Sequence, residues 1–287
     1  MQPWEEPARQ LPVTFPPVGG ETIGSYLNRL ALANRMRAGA LARYVAAYRR
    51  APSAIDDDTS AWTPTTPARL TVISGQSLHS LTRALPTLAQ PASPQQPRDL
   101  LPACRRCMAS QGVTCLVVAR DQAHRHLCVR HGLWLRATTQ VELTRAPEVI
   151  RAQLRHARLA RRGDPDRIAA AHTDAHVIVL DWYDGRWHRD LMGRWQARLH
   201  ALGVDPWSPT LLPWADHLDA AVYPETVALT GLLASPVWRA HVAAAGFYQE
   251  AGRRLGITYP RTSASDPLAR WAWRIRREPG PGNGQID

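Results

Sequence analysis

Apolar residues recur along most of this chain with a helical period, and one stretch near the middle breaks the pattern. Ile23, Tyr26, Leu27, Leu30 and Ala31 follow three- and four-residue intervals. They predict a helix entered from Gly19-Gly20, with Glu21 or Thr22 near its cap. Leu41, Val45 and Tyr48 predict a second helix over 38–48. Pro67 opens a short helix carrying Leu70 and Ile73. Ser74-Gly75 turns the chain, and a further helix over 77–85 places Leu78, Leu81 and Leu85 inward. Two short helices about a glycine turn form the helix-turn-helix pattern. In that register Gln76, Ser77, His79, Ser80 and Arg83 lie on the outer face, where polar residues near a helix N-terminus can reach base edges.

The second half reads as helical too. A basic helix is predicted over 147–162, with Val149, Ile150, Gln153, Leu154, Ala157 and Leu159 inward. Residues 169–180 are apolar on most sides, which predicts a buried helix, and 191–202 are amphipathic. Pro206, Pro209 and Pro213 mark a loop. Pro224 suits the first turn of a helix running to Leu233. Further helices follow over 235–245 and 247–255, the last ended by Gly256. Residues 266–277 interleave Trp271 and Trp273 with Arg270, Arg274, Arg276 and Arg277. This pattern fits a terminal helix that docks its tryptophans and keeps its arginines in water.

The polar stretches connect these elements. Residues 51–66 read as a loop whose Asp56–Asp58 form an exposed acidic turn, 89–99 as a Pro/Gln linker and 278–287 as a disordered tail. The resulting fold class is mainly α. It comprises an N-terminal helical domain with a helix-turn-helix (1–99), a zinc-ribbon-like module (100–140), a C-terminal helical domain (141–277) and the tail.

The break in helical pattern, at Leu101–Leu135, carries the candidate chemistry. Cys104 and Cys107 make a C-x2-C hook, and Cys128 and His131 make a C-x2-H hook about twenty residues later. Each hook sets two ligands across a tight turn, and two hooks can enclose one tetrahedral ion. Thiolate plus imidazole suits Zn2+, and a Cys3His set leaves no open coordination position. The prediction is one structural zinc held by Cys104, Cys107, Cys128 and His131. His124 and His126 are competing candidates for the fourth ligand. Cys115, within an apolar run, is expected to be a packed core thiol.

Charge and missing motifs narrow the function. The formal net charge is +11, and all 35 basic residues are arginine. Guanidinium groups suit phosphate and guanine, so double-stranded DNA is the expected partner. Arg105 and Arg106, inside the first hook, join the helix residues as DNA-contact candidates. No apolar run is long enough to cross a membrane, and metal-bound thiolates point to a reducing, cytoplasmic setting. No hydrolase elbow, P-loop or H-E-x-x-H pattern is present, which predicts a protein that is not an enzyme. A metallo-hydrolase using His172, Asp174 and His176 is the alternative from another class.

Three features together resemble a known family: P-x-x-G-G-E-T-I-x-S-Y-L-x-R-L-A-x-x-N at Pro16–Asn34, the leucine-spaced helix pair about Ser74-Gly75, and the two hooks followed by G-x-W-L at Gly132–Leu135. They resemble the TniQ/TnsD family of transposon target-selection proteins over about the first 140 residues. Two departures stand out. Arg105-Arg106 occupy positions where members often carry proline, and no tryptophan lies between Cys107 and Cys128. The resemblance implies a non-catalytic adaptor that marks an insertion site and recruits a transposition ATPase and a transposase. Some members read DNA themselves; others bridge to an RNA-guided targeting complex. A second copy of the chain is a further candidate partner. A zinc-stabilised helix-turn-helix transcriptional regulator, or other DNA-binding accessory protein, is the alternative.

Overall fold

The computed structural model describes residues 9–37, 39–46, 62–89, 100–120, 124–137, 139–204, 211–259 and 263–277. The acidic turn at 56–58, most of the 89–99 linker and the 278–287 tail lie outside these residues. The chain forms two compact units, Met1–Ala123 and His124–Asp287. Among the described residues the protein is mainly helical, with a few short strands.

The first unit contains α1 (Ile23–Ala33), α2 (Ala40–Ala46), α3 (Thr66–Ser74), α4 (Leu78–Ala84), α5 (Pro86–Ala89), β1 (Leu100–Pro102), α6 (Arg105–Ala109) and β2 (Val118–Arg120). Its core joins Ile23, Tyr26, Leu27 and Leu30 of α1 to Leu41, Val45, Leu70, Ile73, Leu81 and Leu85. The predicted stripes of α1 and α3, and Leu41 and Val45 of α2, are therefore the buried ones; Tyr48 lies outside the described residues. Leu78 differs: it is half exposed, because it is the first residue of α4 and the helix turns inward only from Leu81. Gly75 has φ +65° and donates its N–H to Thr71 O. A side chain there would be strained and would also collide with Gln10.

The start of α1 is held by a buried polar network. Thr22 caps the helix, accepting from Ser25 N. Arg29 reaches back two turns and pairs bidentately with Glu21, at 2.8 and 2.7 Å. Glu21 also accepts from Ser25 Oγ and from Val18 N, both at 2.9 Å. Ser25 Oγ accepts from Val118 N, while Thr22 N donates to Val118 O, both at 3.0 Å. The helix entrance is thereby tied to β2, which pairs antiparallel with β1. Further on, the Asn34 carboxamide exchanges two hydrogen bonds with the backbone of Val13, and Tyr26 donates to Phe15 O at 2.8 Å. Burial raises the Tyr26 phenol to about 12, so it stays a donor.

The second unit contains β3 (Leu127–Cys128), β4 (Leu133–Trp134), β5 (Val141–Glu142), α7 (Pro147–Arg162), α8 (Pro165–Gly185), α9 (Arg189–Ala201), α10 (Leu211–Leu233), α11 (Pro236–Ala240), α12 (Ala245–Leu255) and α13 (Pro267–Arg277). The strands form one antiparallel sheet in the order β3-β4-β5. Helix α10 is central, packing on α7, α8, α9, α11 and α12.

Three expectations are corrected here. The buried face of α7 keeps the expected Val149 and Gln153 but is completed by Ala152, His156 and Ala160, whereas Leu154 is 41% exposed. Polar Gln153 and His156 point inward because partners wait for them. Helix α8 buries one stripe, Ile168 to Trp182, and leaves Val177 exposed. Pro224 lies inside α10 rather than at a helix start. A proline there lacks the N–H of its turn and crowds the preceding carbonyls. Beside it, Arg198 Nη1 donates to Ala221 O at 2.7 Å. The same guanidinium pairs with Glu225 at 2.6 and 2.9 Å and with Glu148 at 3.1 Å. Trp195 Nε1 also donates to Glu225, at 3.0 Å. In α13, Trp271 docks in the core and donates to Asp174, while Trp273 is half exposed under Arg277.

Removing one partner from the buried Glu21–Arg29 pair strands the other charge. Arg29→Met is expected to destabilise the first unit by about 3–5 kcal/mol, measured by chemical denaturation. The double variant Glu21→Leu/Arg29→Met is expected to cost less than the sum of the two singles. Additive costs would show that the two charges do not support each other.

Candidate metal centre

The first hook begins where β1 ends. Cys104 is the N-cap residue of α6 and is buried; Cys107 follows one turn later and is half-buried. The helical turn between them leaves Arg105 and Arg106 exposed. The second hook begins in β3, whose last residue is Cys128. The chain then turns tightly, with His131 N donating to Cys128 O at 3.3 Å and Gly132 at φ +58°. This turn brings His131 Nδ1 to 3.7 Å from Cys128 Sγ.

The ligand atoms of Cys104, Cys107, Cys128 and His131 all lie within 4.8 Å of one another. None of the four cysteines is in a disulfide. Three soft sulfurs and one imidazole at this separation can hold a metal ion, and the donor set is the one zinc prefers. His131 joins the group; His124 and His126 do not. Cys115 also stays outside it. That thiol is half-buried, not a core residue, and its neighbour Leu116 faces solvent at 63% exposure.

The remaining candidates lie on α4, on its approach and on α6. Ser77, His79 and Arg83 are exposed, while Gln76 and Ser80 are partly buried. Ser77 has a structural task as well, since its hydroxyl accepts from Ser80 N and caps α4.

The hydrolase triplet does not assemble. Asp174 receives Trp271 Nε1 and Arg274, both at 2.8 Å, and His176 Nε2 lies 3.4 Å from Asp219. His172 instead joins His126 and His156, whose ring nitrogens lie within 4.8 Å of one another. Burial, reinforced by the neighbouring histidines, lowers His126 and His172 well below the usual histidine range. Burial takes His156 down to about 4, so all three rings are neutral at pH 7. Along the sequence these residues are scattered, because 30 and 16 positions separate successive members and no short spacing links them.

Comparison with protein-family models matches residues 12–135 to the family described as TniQ. Comparison with curated proteins and with solved structures gives no match.

Cys104→Ser or Cys128→Ser is expected to lower the bound metal by one ion per chain, counted by elemental mass spectrometry against protein concentration. An unchanged metal content would remove these residues from the ligand set.

Proposed function

We propose, on the premise that this chain is a TniQ-family protein through its residues 12–135, that it is a non-catalytic adaptor for transposon target-site selection. In this reading it binds double-stranded DNA and recruits a transposition ATPase and a transposase to the bound site. The family match is the observation that carries the proposal. The net charge of +11, all of it on arginine, supports a polyanionic partner.

Zn2+ is the ion proposed for Cys104, Cys107, Cys128 and His131. Four protein ligands close the tetrahedron, so the ion contributes folding energy and no open position for chemistry. Helices α3 and α4 act as a helix-turn-helix, with α4 as the reading helix. Gln76, His79, Ser80 and Arg83 approach base edges, and Arg105 and Arg106 hold phosphate. What supports this assignment is exposure: His79 and Arg83 face solvent opposite buried Leu81, and both hook arginines are exposed. A protein or RNA-guided complex that supplies the address would replace base reading by α4. The alternative function, a zinc-stabilised transcriptional regulator, uses the same DNA-binding surface without recruiting a transposase.

No helix among the described residues is long and apolar enough to cross a membrane.

The deciding experiment is selection of genomic fragments by the purified metal-loaded protein over a salt series. Enrichment of one site that persists at moderate salt is the expected result. Uniform binding that disappears steeply with salt would reduce the interaction to phosphate contact and refute direct reading. Arg83→Ala is expected to lose about 1–3 kcal/mol of discrimination between the selected site and a scrambled one, measured by competition binding. Unaltered discrimination would move base reading away from α4.

A further inference from the structure

We propose that His126, His156 and His172 form a second metal site, separate from the cysteine set, that takes one zinc-class divalent ion. The three rings come from different elements of the second unit. His126 is on the strand approach just before β3, His156 is on the buried face of α7 and His172 is on α8. Their ring centroids are 4.4 to 5.4 Å apart. His126 and His156 are 4% and 1% exposed.

The hydrogen bonds around the trio determine which nitrogen His156 and His172 leave bare. Gln153 accepts from His126 N at 2.9 Å through Oε1 and donates from Nε2 to His124 O at 2.6 Å, so its carboxamide orientation is set. Tyr223 must then donate its phenol proton to Gln153 Oε1, at 3.2 Å. Its oxygen is left to accept, and the donor is His156 Nδ1–H, at 2.9 Å. The His156 proton is therefore on Nδ1, and the Nε2 lone pair is bare. The same reasoning holds on α8. Thr230 donates its hydroxyl proton to Thr226 O at 2.8 Å, so it accepts from His172 Nδ1–H at 3.2 Å. His172 also keeps its lone pair on Nε2.

A hydrogen bond that fixes one ring nitrogen and frees the other is the arrangement metal-ligating histidines use. The nitrogens left over are not satisfied by protein. His126 Nε2 and His156 Nε2 are buried and have no hydrogen-bond partner. A buried polar atom left without a partner is destabilising unless something binds it. The Nε2 lone pairs of His156 and His172, with the His126 imidazole beside them, cannot bond to each other. A cation satisfies them together.

The donor chemistry selects the ion. Three neutral nitrogens suit Zn2+ and its neighbours Co2+, Ni2+ and Cu2+, whereas Ca2+ and Mg2+ require oxygen ligands. His176, one turn along α8, is engaged by Asp219 instead. Trp134 and Tyr223 pack around His126, which makes the site a buried staple joining the sheet to α7 and α8.

The test uses the full chain. Purified protein is expected to carry two zinc ions per chain, and after exchange to take up two Co2+. One Co2+ should show the near-ultraviolet thiolate charge-transfer band of the cysteine set; the other should show visible ligand-field bands without it. His156→Gln is expected to lower the count from two to one and keep the charge-transfer band. Cys104→Ser/Cys107→Ser is expected to lower the count to one and lose that band while keeping the other spectrum. A wild-type protein that binds a single Co2+, with a thiolate spectrum that accounts for all of it, would overturn the proposal and leave the trio as stacked core side chains. That result needs no variant, so it decides even if His156→Gln does not fold.

Discussion

A carboxylate and a guanidinium buried at the start of α1 impose the constraint from which the first unit is built. Glu21 and Arg29 are 0% and 4% exposed, so neither charge has water to fall back on. Each needs the other, and each needs its remaining hydrogen bonds, because an unpaired charge at this depth is far costlier than the pair. That requirement positions Ser25 between them and Val18 before them. Through Ser25 and Thr22 it reaches Val118 on β2. The chain leaving the first hook is therefore oriented by a residue pair some ninety positions upstream. The motif at Pro16–Asn34, which looks like a family signature, has a structural reason at nearly every lettered position: Glu21, Thr22, Ser25, Tyr26, Arg29 and Asn34 all bond within the unit.

The second unit solves a related problem with one arginine. A proline inside the central helix α10 cannot donate to the carbonyl of Ala220, and the helix is braced at that turn from outside. Arg198, from α9, bonds the neighbouring Ala221 carbonyl and balances its own charge against Glu225, four residues beyond it, and against Glu148 on α7. The guanidinium has a planar fork of donors, so one side chain bridges three helices. Burial pulls against its charge, but the carboxylates outweigh that, and its pKa is raised.

The two histidine and cysteine groups differ in how they can be recognised. The cysteine set consists of two local pairs, each with both ligands inside one turn of chain, so spacing alone identifies it. The histidine trio draws one ligand from each of three elements, with no local pair among them. Its members look like ordinary helix and loop residues until α7, α8 and the β3 approach are packed together. Gln153 belongs to the same group: a polar residue on an otherwise apolar stripe, whose carboxamide is fully used by two backbone groups and a phenol.

Local regularity was therefore readable from the residues. The stripes of α1 and α3, the glycine turn at Gly75, the Thr22 cap and the two hooks all depend on contacts within a few positions, where periodicity and turn chemistry act directly. The helical class and the TniQ signature follow from the same short-range patterns. The interior polar residues were decided by packing. Leu154 faces outward and His156 inward, Pro224 sits mid-helix, and His172 turns to His126 instead of His176. In each case hydrophobicity along one helix predicts otherwise. The outcome is set by desolvation, because a buried lone pair, carbonyl or charge must find its partner wherever the fold supplies one, and such partners lie tens of residues away in the chain.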